Sequence, residues 1–459
     1  MACKKTNNFI SYIVLFLICA LVYLIYFSPY FERTKPSIDV PDISYWNLKW
    51  KVPINISDVS GIKSYKITLQ IDNEKEEIII NQKDINEKSI SISLPPPKSN
   101  VQSGSILKYT IQAIDNSKYN FLLGNKSQAN LEIIVDKKLP DVRIIAMSNK
   151  IMKGGSAVVV FYANDDAMGN ISLTNGKDSL IAFPYIKDNY YVSIIPWPIR
   201  NESFNGSIIV QDKAGNTKKA KIGFTKYSKN YRTSNIALKD SFIDNKITEL
   251  IENANEYQIE DFNGKLAMFR YVNEVLREKD SQAMSAKILN LQESNSFIPK
   301  VFIPLKSPLI VGLYGDYRKY IINKNYAGTS YHLGIDLANA KNAPITASNP
   351  GLVVLSDSLG VHGNTMVIDH GLGISSLYAH MSAMYKKEGD TINEGDIIGR
   401  TGDSGLALGD HLHFGIFIQG IPVIPNEWMD NKWLKVNIIN ILEDAKTIIE
   451  NDNDIESKK

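Results

Sequence analysis

Apolar and polar residues alternate in short runs through much of the first half of the chain. Residues 64–71 and 108–115 alternate along most of their length with the period of a half-buried strand, and turn residues follow the second run. Residues 207–211 repeat the pattern. Regularly spaced short strands predict two β-sandwich modules, one over 38–137 and one over 138–228.

The ends of both predicted modules carry a further signature. The segments YTIQAIDNS and IIVQDKAGN resemble the last strands of bacterial immunoglobulin-like modules. The simplest role for such modules is that of a spacer, and the alternative is binding of the cell wall or of a regulatory protein partner. The predicted fold class of the whole chain is therefore multidomain and mainly β.

A helical period replaces the strand period over residues 235–292. Apolar residues recur at helical spacing in two runs separated by Gly264, and Asp280 and Ser281 are placed to cap a further helix. This pattern predicts a helical arm whose apolar stripes are packing faces rather than binding grooves. A shorter apolar-periodic run opens the last segment, 437–459, and predicts a tail helix that frays.

An uncharged apolar segment, residues 9–27, lies near the N-terminus. Its length matches the roughly 20 residues that cross a bilayer, and it lacks the small-residue cleavage site of a signal peptide. We therefore expect an uncleaved single-pass anchor within residues 1–30, in the cytoplasmic membrane. Basic residues flank both sides of the segment, so charge barely decides its orientation. The lack of cysteine in the rest of the chain suits a catalytic domain in the periplasm or another extracytoplasmic space.

Charge and cysteine content exclude several classes of protein. Lys and Arg total 51 and Asp and Glu total 49, which gives a net charge of +2 and no indication of nucleic-acid binding. The two cysteines, Cys3 and Cys19, both lie near the N-terminus. A disulfide scaffold, a cysteine-ligated zinc site and a cysteine nucleophile are therefore excluded from the rest of the chain.

The segment 297–436 returns to strand signals and contains all 6 histidines of the chain. Its apolar runs predict strands at residues 301–303, 351–355, 365–369 and 373–378. Three glycines precede the pair His411 and His413 and suit a tight loop beside a cleft. In a strand these two histidines share one face, while the residues between and after them point to a core.

The residue types of this segment indicate a zinc hydrolase. A catalytic zinc ion keeps three protein ligands and one open position for water, and one aspartate with two histidines would fill the three. The remaining histidines would then serve as acid–base groups, because imidazole titrates near neutral pH. A structural zinc site is disfavoured, since such a site normally closes with a fourth protein ligand, often cysteine.

Motifs in the same segment resemble a known peptidase family. HLGID at 332–336, SLYAHMS at 376–382 and GDHLHFGI at 409–416 are similar to the signatures of the M23 peptidases, the lysostaphin and LytM-like peptidoglycan endopeptidases. YGDYR at 314–318 and IDHG at 368–371 extend the resemblance in the same order. It implies an antiparallel β-sheet whose groove holds the metal.

The resemblance also implies a role for each motif residue. His332, Asp336 and His413 become the ligands of one Zn²⁺ ion, and His411 becomes the general base that activates a water molecule. His380 orients the water or stabilises the oxyanion of the tetrahedral intermediate, as in other acyl-transfer sites.

The remaining candidates of the segment have smaller roles. His370 matches a turn of the family and serves structure, and His362 is a minor candidate for a substrate contact. Tyr326 and Tyr331 are alternative contacts for the oxyanion, and the sequence does not choose between them.

The leading hypothesis is a membrane-anchored zinc endopeptidase that hydrolyses peptide cross-links of peptidoglycan during cell-wall remodelling. The alternative is a non-catalytic scaffold of the same family that binds or activates another cell-wall hydrolase. The complete set of ligand and acid–base residues favours the enzyme.

Overall fold

The computed structural model describes residues 6–289 and 299–456. These residues divide into two compact units. The first comprises Met1–Pro140, Asp165–Asn170 and Gln211–Lys218, and the second comprises Asp141–Asn164, Ile171–Val210 and Lys219–Lys459.

The N-terminal apolar segment is helical, but the predicted transmembrane anchor is wrong. Helix α1 covers Thr6–Phe27, and a short 3₁₀ turn, Pro29–Phe31, follows it. A membrane span requires about 20 consecutive apolar residues. Within the part of the chain that the structure describes, no helix combines the length and the apolar character that crossing a bilayer requires.

The first unit contains one six-stranded sheet. Its strands follow the order β1-β3-β5-β6-β2, and β4 pairs with the free side of β3. The predicted pair of separate sheets is not observed, because β3 and β4 are 19 and 17 residues long and continue through the whole module. Alternate residues of β5 are buried, as the polar–apolar alternation predicts. The strands are β1 Ser37–Asp39, β2 Tyr45–Trp46, β3 Pro53–Ile71, β4 Glu77–Ser93, β5 Ile106–Asp115 and β6 Lys126–Val135.

The second strand-rich segment contains two four-stranded sheets, as a sandwich requires. Their orders are β11-β10-β14-β15 and β12-β13-β9-β7, and β16 pairs in parallel with β8. The strands are β7 Asp141–Met147, β8 Lys150–Met152, β9 Ser156–Asn164, β10 Met168–Thr174, β11 Ser179–Leu180, β12 Phe183–Tyr185, β13 Lys187–Pro196, β14 Ser207–Asp212, β15 Thr217–Lys221 and β16 Thr225–Tyr227.

The predicted arm is a set of helices that packs on the C-terminal sheets. Gly264, with a φ of 83°, begins α4, and the helix continues through a π-helical turn, Tyr271–Leu276, into α5. Asp280 lies inside α5 and does not cap a new helix, because its carboxylate accepts the backbone N–H of Val361 at 2.7 Å. The elements are β17 Thr233–Leu238, α2 Asp240–Phe242, a π-helical turn Ile243–Ile247, α3 Thr248–Ala254, a 3₁₀ turn Ile259–Asp261, α4 Lys265–Arg270 and α5 Arg277–Leu289.

The C-terminal segment forms the antiparallel sheet that the family resemblance implies. Eight strands follow the order β18-β21-β29-β25-β24-β23-β27, and β30 pairs with β29. Two further three-stranded sheets, β17-β19-β20 and β22-β28-β26, are formed mainly by strands that alternate along the chain with those of the large sheet. The strands are β18 Leu309–Gly312, β19 Tyr317–Ile322, β20 Asn325–Tyr331, β21 Ile335–Ala338, β22 Pro344–Thr346, β23 Gly351–Leu359, β24 Gly363–Asp369, β25 Ile374–Met381, β26 Ala383–Met384, β27 Thr391–Ile392, β28 Ile397–Arg400, β29 Leu412–Ile418 and β30 Ile421–Val423.

Three of the four predicted strands of this segment are observed, and residues 301–303 are not a strand. Phe302 is fully buried in the core, and its backbone N–H donates to the carbonyl of Trp428 at 3.0 Å, so tertiary packing holds the segment without a strand partner. A 3₁₀ turn, Gly360–His362, links β23 to β24.

The last helices are packed into the core of the second unit. The predicted frayed tail is instead α8, whose Leu442, Ala445 and Ile449 join a core that also contains Val158 and Val192. The strand-rich segment and the peptidase sheet therefore share one apolar core. The helices are α6 Pro425–Trp428, α7 Asn431–Leu434, a π-helical turn Lys435–Ile439 and α8 Asn440–Glu456. The sequence-based domain boundaries stay predictions.

Candidate active site

The pairing of β21 with β29 brings the three predicted metal ligands together. Asp336 and His413 face each other in the antiparallel register, and His332 lies just before β21. The Oδ1 atom of Asp336 lies 3.0 Å from Nε2 of His332 and 2.9 Å from Nδ1 of His413. The two imidazole nitrogens are 3.0 Å apart. One acidic oxygen and two ring nitrogens therefore converge on one point.

Backbone carbonyl groups fix the orientation of three of the histidine rings. Nδ1 of His332 donates to the carbonyl of Leu313 at 2.8 Å, Nδ1 of His380 donates to Ser404 at 2.8 Å, and Nδ1 of His411 donates to Gly409 at 2.7 Å. A carbonyl only accepts, so each Nδ1 carries a proton, and in the neutral form of each ring the lone pair lies at Nε2. Such outer contacts are typical of metal-ligating histidines.

The donor set fits a zinc ion. Lone pairs of two imidazoles and an anionic oxygen repel one another at these distances unless a cation lies between them. Burial favours the neutral form of Asp336, but hydrogen bonds with His332, His411 and His413 outweigh it and lower the pKa of Asp336 well below its ordinary value. Burial lowers the pKa of His413 to about 4, which keeps its ring neutral. Two neutral imidazoles and one carboxylate are the protein ligands of several catalytic zinc sites.

His411 and His380 lie next to the presumed metal position. Nε2 of His411 is 3.5 Å from Oδ1 of Asp336, and the ring centroids of His380 and His411 are 4.9 Å apart. Burial lowers the pKa of His411, but contact with Asp336 outweighs this effect and raises it above its ordinary value. Burial, followed by the charges of His413 and His411, lowers the pKa of His380 well below its ordinary value. The pair therefore combines a more basic and a less basic imidazole.

Backbone geometry around the site is unusually constrained. His380 has a φ of 60°, a left-handed conformation that costs a non-glycine residue roughly 1–2 kcal/mol and is common at functional sites. Gly405 also has a positive φ, and a side chain there would collide with the backbone of Gly363 at 2.4 Å. A Cβ on Gly334 would lie 2.5 Å from Nε2 of His413. These two glycines allow the loops to close around the imidazoles.

A cavity of about 1010 Å³ opens beside the five predicted site residues, and all five line it. Tyr331 also lines this cavity, whereas Tyr326 is 58% exposed and lies outside the cavity lining. Tyr331 is therefore the better placed of the two candidates for an oxyanion contact.

The two remaining histidines occupy different positions. His362 lines the cavity with its ring centroid 6.1 Å from that of His413, and its Nδ1 is buried and makes no hydrogen bond with the described residues. His370 is buried, and its ring contacts the carbonyl of Pro350 at 2.6 Å and the hydroxyl of Ser376 at 2.8 Å. These contacts agree with the structural role that the sequence predicts for His370.

Sequence reasoning missed three parts of the site. Arg318 contacts the second carboxylate oxygen of Asp336 through Nη2 at 3.1 Å, and the YGDYR motif was the available signal for it. The wall that the helical arm contributes, with Arg277 and Ser281 among its residues, had no local signal. Arg200, from the loop after β13, lines the same cavity.

Comparisons with known proteins agree with this site. Residues 330–425 match the model of Peptidase family M23. An aligned region of 137 residues is 35% identical to the DD-carboxypeptidase/endopeptidase Mpg of Neisseria meningitidis serogroup B. This region is 29% of this chain and 30% of that protein. An aligned region of 92 residues is 35% identical to the peptidoglycan DD-endopeptidase ShyA of Vibrio cholerae. This region is 20% of this chain and 21% of that protein.

Other similar proteins include a stage II sporulation protein Q of Bacillus subtilis, 32% identical over 101 residues, or 21% of this chain and 36% of that protein. A solved structure of a putative M23 peptidase from Pseudomonas aeruginosa covers 62% of this chain and 96% of its own, at 19% identity and a TM-score of 0.35. The segment that holds the site is thus similar to the M23 peptidases over residues 330–425. The chain spans about 30% or less of the length of Mpg and ShyA.

Proposed function

We propose that this protein is a zinc-dependent endopeptidase that hydrolyses peptide cross-links of peptidoglycan in cell-wall remodelling. The observation that carries the proposal is the convergence of His332, Asp336 and His413 within 3.0 Å, beside His411 and at the edge of an open cavity. The relatives Mpg and ShyA, which are described as endopeptidases, support the same reaction class.

The residues of the chain divide the work of peptide hydrolysis. His332, Asp336 and His413 would hold the zinc ion, and a zinc ion bound there would supply an acidified water, with a pKa of about 7, and Lewis acidity toward the scissile carbonyl. His411 Nε2 takes a proton from the attacking water and gives it to the leaving amine. The contact with Asp336 stabilises the imidazolium that His411 forms in between.

His380 and Tyr331 are placed to help at the reacting carbonyl. Nδ1 of His380 is held by Ser404, so its Nε2 is available to orient the water or the substrate. Tyr331 is positioned in the cavity lining to donate its hydroxyl to the oxyanion of the tetrahedral intermediate.

The proposed substrate implies a place of action. Peptidoglycan lies outside the cytoplasm, so we infer that the C-terminal unit acts in an extracytoplasmic space. The proposal requires export of this unit and does not depend on a membrane-spanning helix.

A second candidate is a scaffold that binds or activates another cell-wall hydrolase. The match to stage II sporulation protein Q favours it, since a protein of that name forms a complex with a partner in a solved structure. The complete set of ligand and acid–base residues in this chain favours the enzyme over the scaffold.

The two candidates predict different outcomes with purified peptidoglycan. The full chain should release new peptide ends that mass spectrometry identifies, a zinc chelator should stop the release, and added zinc should restore it. The His411→Ala variant is the matched control and should release almost none. Equal release with and without the chelator, or no release by the zinc-loaded protein, would refute the endopeptidase.

A further inference from the structure

Four arginines line the catalytic cavity, and all of them lie outside the M23 segment 330–425. Arg200 belongs to the loop after β13, Arg232 precedes β17, Arg277 begins α5, and Arg318 lies on β19. The arginines therefore reach the cavity from the strand-rich segment, from the region around β17 and the arm, and from the three-stranded sheet that contains β19. The matched family segment supplies none of them.

The partners of these arginines differ. Arg318 is paired, because its guanidinium contacts Asp336 at 3.1 Å and Asp316 at 3.7 Å. Arg277 is half-buried, and its Nη2 reaches only the side-chain oxygen of Asn273 at 3.4 Å. Its Nε is buried without a hydrogen-bond partner. Among residues 6–289 and 299–456, no carboxylate forms an ion pair with Arg277 or Arg200.

Nearby acidic side chains do not neutralise Arg277. Asp280 accepts the backbone N–H of Val361, and Oε1 of Glu278 accepts a hydrogen bond from Gln282 at 3.1 Å. Burial lowers the pKa of Arg277 and the charges of Arg318 and Arg200 lower it further, while Tyr320 and Asp280 raise it without offsetting the effect of burial. A guanidinium with a buried, unbonded N–H and no ion pair is costly, and an anion in the cavity would offset that cost.

Arg200 stands where the catalytic cavity meets a second cavity of about 260 Å³. His413, His362 and Leu333 also line both cavities. A peptide that extends from the metal ligands past His413 would therefore pass Arg200, with Arg277 on the neighbouring wall.

We propose that Arg200 and Arg277 form a carboxylate-binding subsite of the catalytic cavity, which selects peptides that carry a free carboxylate near the scissile bond. A guanidinium matches a carboxylate with two parallel N–H···O bonds, a geometry that an ammonium does not offer. The inference rests on the proposed function and names the class of substrate. The carboxylate is either the C-terminus of the peptide or an acidic side chain, since the chemistry of recognition is shared.

The test uses the zinc-loaded full chain and three forms of one cross-linked stem peptide. In the first form every carboxylate is free, in the second only the C-terminus is amidated, and in the third only the acidic side chains are amidated. We expect kcat/KM to fall at least about tenfold for one of the two amidated forms, which identifies the source of the carboxylate.

The Arg200→Gln and Arg277→Gln variants should lose this preference, mainly by cleaving the free form more slowly. Arg277→Lys should restore little of it, because the fork geometry is lost. Arg143→Gln is the matched control, since Arg143 is an exposed arginine that pairs with Asp141 at 3.2 Å, and it should keep the parental preference. Equal cleavage of all three forms by the parental protein, or an unchanged preference in both Gln variants, would overturn the proposal.

Two further readouts separate this proposal from its alternatives. Arg277→Gln should raise the thermal midpoint of the protein, because it removes a partly buried charge that forms no ion pair among the described residues, whereas loss of a merely structural arginine would lower it. Binding of the same peptides to the inactive His411→Ala variant, measured by calorimetry, should show the same carboxylate preference. If that preference appears while the parental protein cleaves nothing, the subsite stands and the proposed enzymatic function falls.

Discussion

The candidate metal-binding face of the sheet and helix α6 each hold a carboxyl group, and the pKa values of the two groups shift in opposite directions. Asp336 contacts three imidazoles and the guanidinium of Arg318. Glu427 accepts one backbone N–H, from Ser156 at 3.2 Å. Burial raises the pKa of Glu427 to about 8, whereas the imidazole contacts of Asp336 outweigh burial and lower its pKa.

This difference shows that burial alone does not define a functional carboxylate. The carboxyl group of Glu427, on α6, lies against Gly155 in the turn before β9 and so connects α6 to the strand-rich segment. Because its pKa is about 8, the group is mainly protonated at neutral pH. Contacts with three imidazoles and with Arg318 lower the pKa of Asp336 and favour its anionic form, and an anionic oxygen is what a zinc ligand requires.

The largest expected effect comes from removing a ligand next to Asp336. His413→Ala should cut the zinc content of the purified protein from about one ion per chain to nearly none, as measured by metal analysis. His370→Gln is the matched control, because His370 is another buried histidine of the same sheet. It should lose stability but keep its zinc. Full zinc occupancy in His413→Ala would show that the ligand set is different.

The next effect concerns His411, which contacts Asp336 without being assigned as a ligand. His411→Ala should keep the zinc ion and lose about 10² to 10⁴ in the rate of peptide cleavage, the usual contribution of a general base. Rates on a defined muropeptide check this, with the exposed Lys319→Ala as the control. Cleavage at the parental rate would move the base to another residue, with His380 the next candidate.

The raised pKa of Glu427 predicts a pH dependence of the stability of the protein. Its pKa rises from 4.5 to about 8 on folding, so between these values the unfolded chain has released a proton that the folded chain still holds. The contribution of Glu427 to the free energy of unfolding is therefore largest below about pH 4.5, and it declines as the pH rises toward 8.

The Glu427→Gln variant should lack this decline. Between pH 5 and pH 8 the free energy of unfolding of the parental protein should fall relative to that of the variant, on the order of a few kcal/mol. Urea unfolding at both pH values measures the difference. Parallel pH profiles for the two proteins would contradict the neutral state of Glu427.

The smallest expected effect is that of Arg318 on the metal. Arg318→Gln removes the cation that holds the second oxygen of Asp336, and outer contacts of this kind typically contribute about 10- to 100-fold in metal affinity. Competition with a chromogenic chelator measures the affinity. Arg232→Gln is the control, because Arg232 lines the same cavity and forms no ion pair with Asp336 among the described residues.

Sequence predicted the chemistry of the site far better than its walls. HLGID, SLYAHMS and GDHLHFGI resemble the signatures of a known peptidase family, so the resemblance named the five site residues without coordinates. Arg200 and Arg277 could not be assigned to the cavity, because their position depends on how distant segments pack.

The fold shows the same limit. Alternation predicted the strands around 64–71 and 108–115, which lie within β3 and β5. It did not show that β3 continues for 19 residues, nor that residues 301–303 pack without a strand partner. The apolar content of the N-terminal segment also led to the prediction of a membrane span, and that prediction was wrong.

The most direct test of the account is X-ray absorption at the zinc edge of the full chain. The account predicts one zinc ion per chain with two imidazole nitrogens, one carboxylate oxygen and a fourth light ligand from water, at roughly 2.0–2.2 Å. The signal should disappear in His413→Ala and persist in His411→Ala. A protein that takes up no zinc, or a zinc ion closed by four protein ligands, would contradict the central claim.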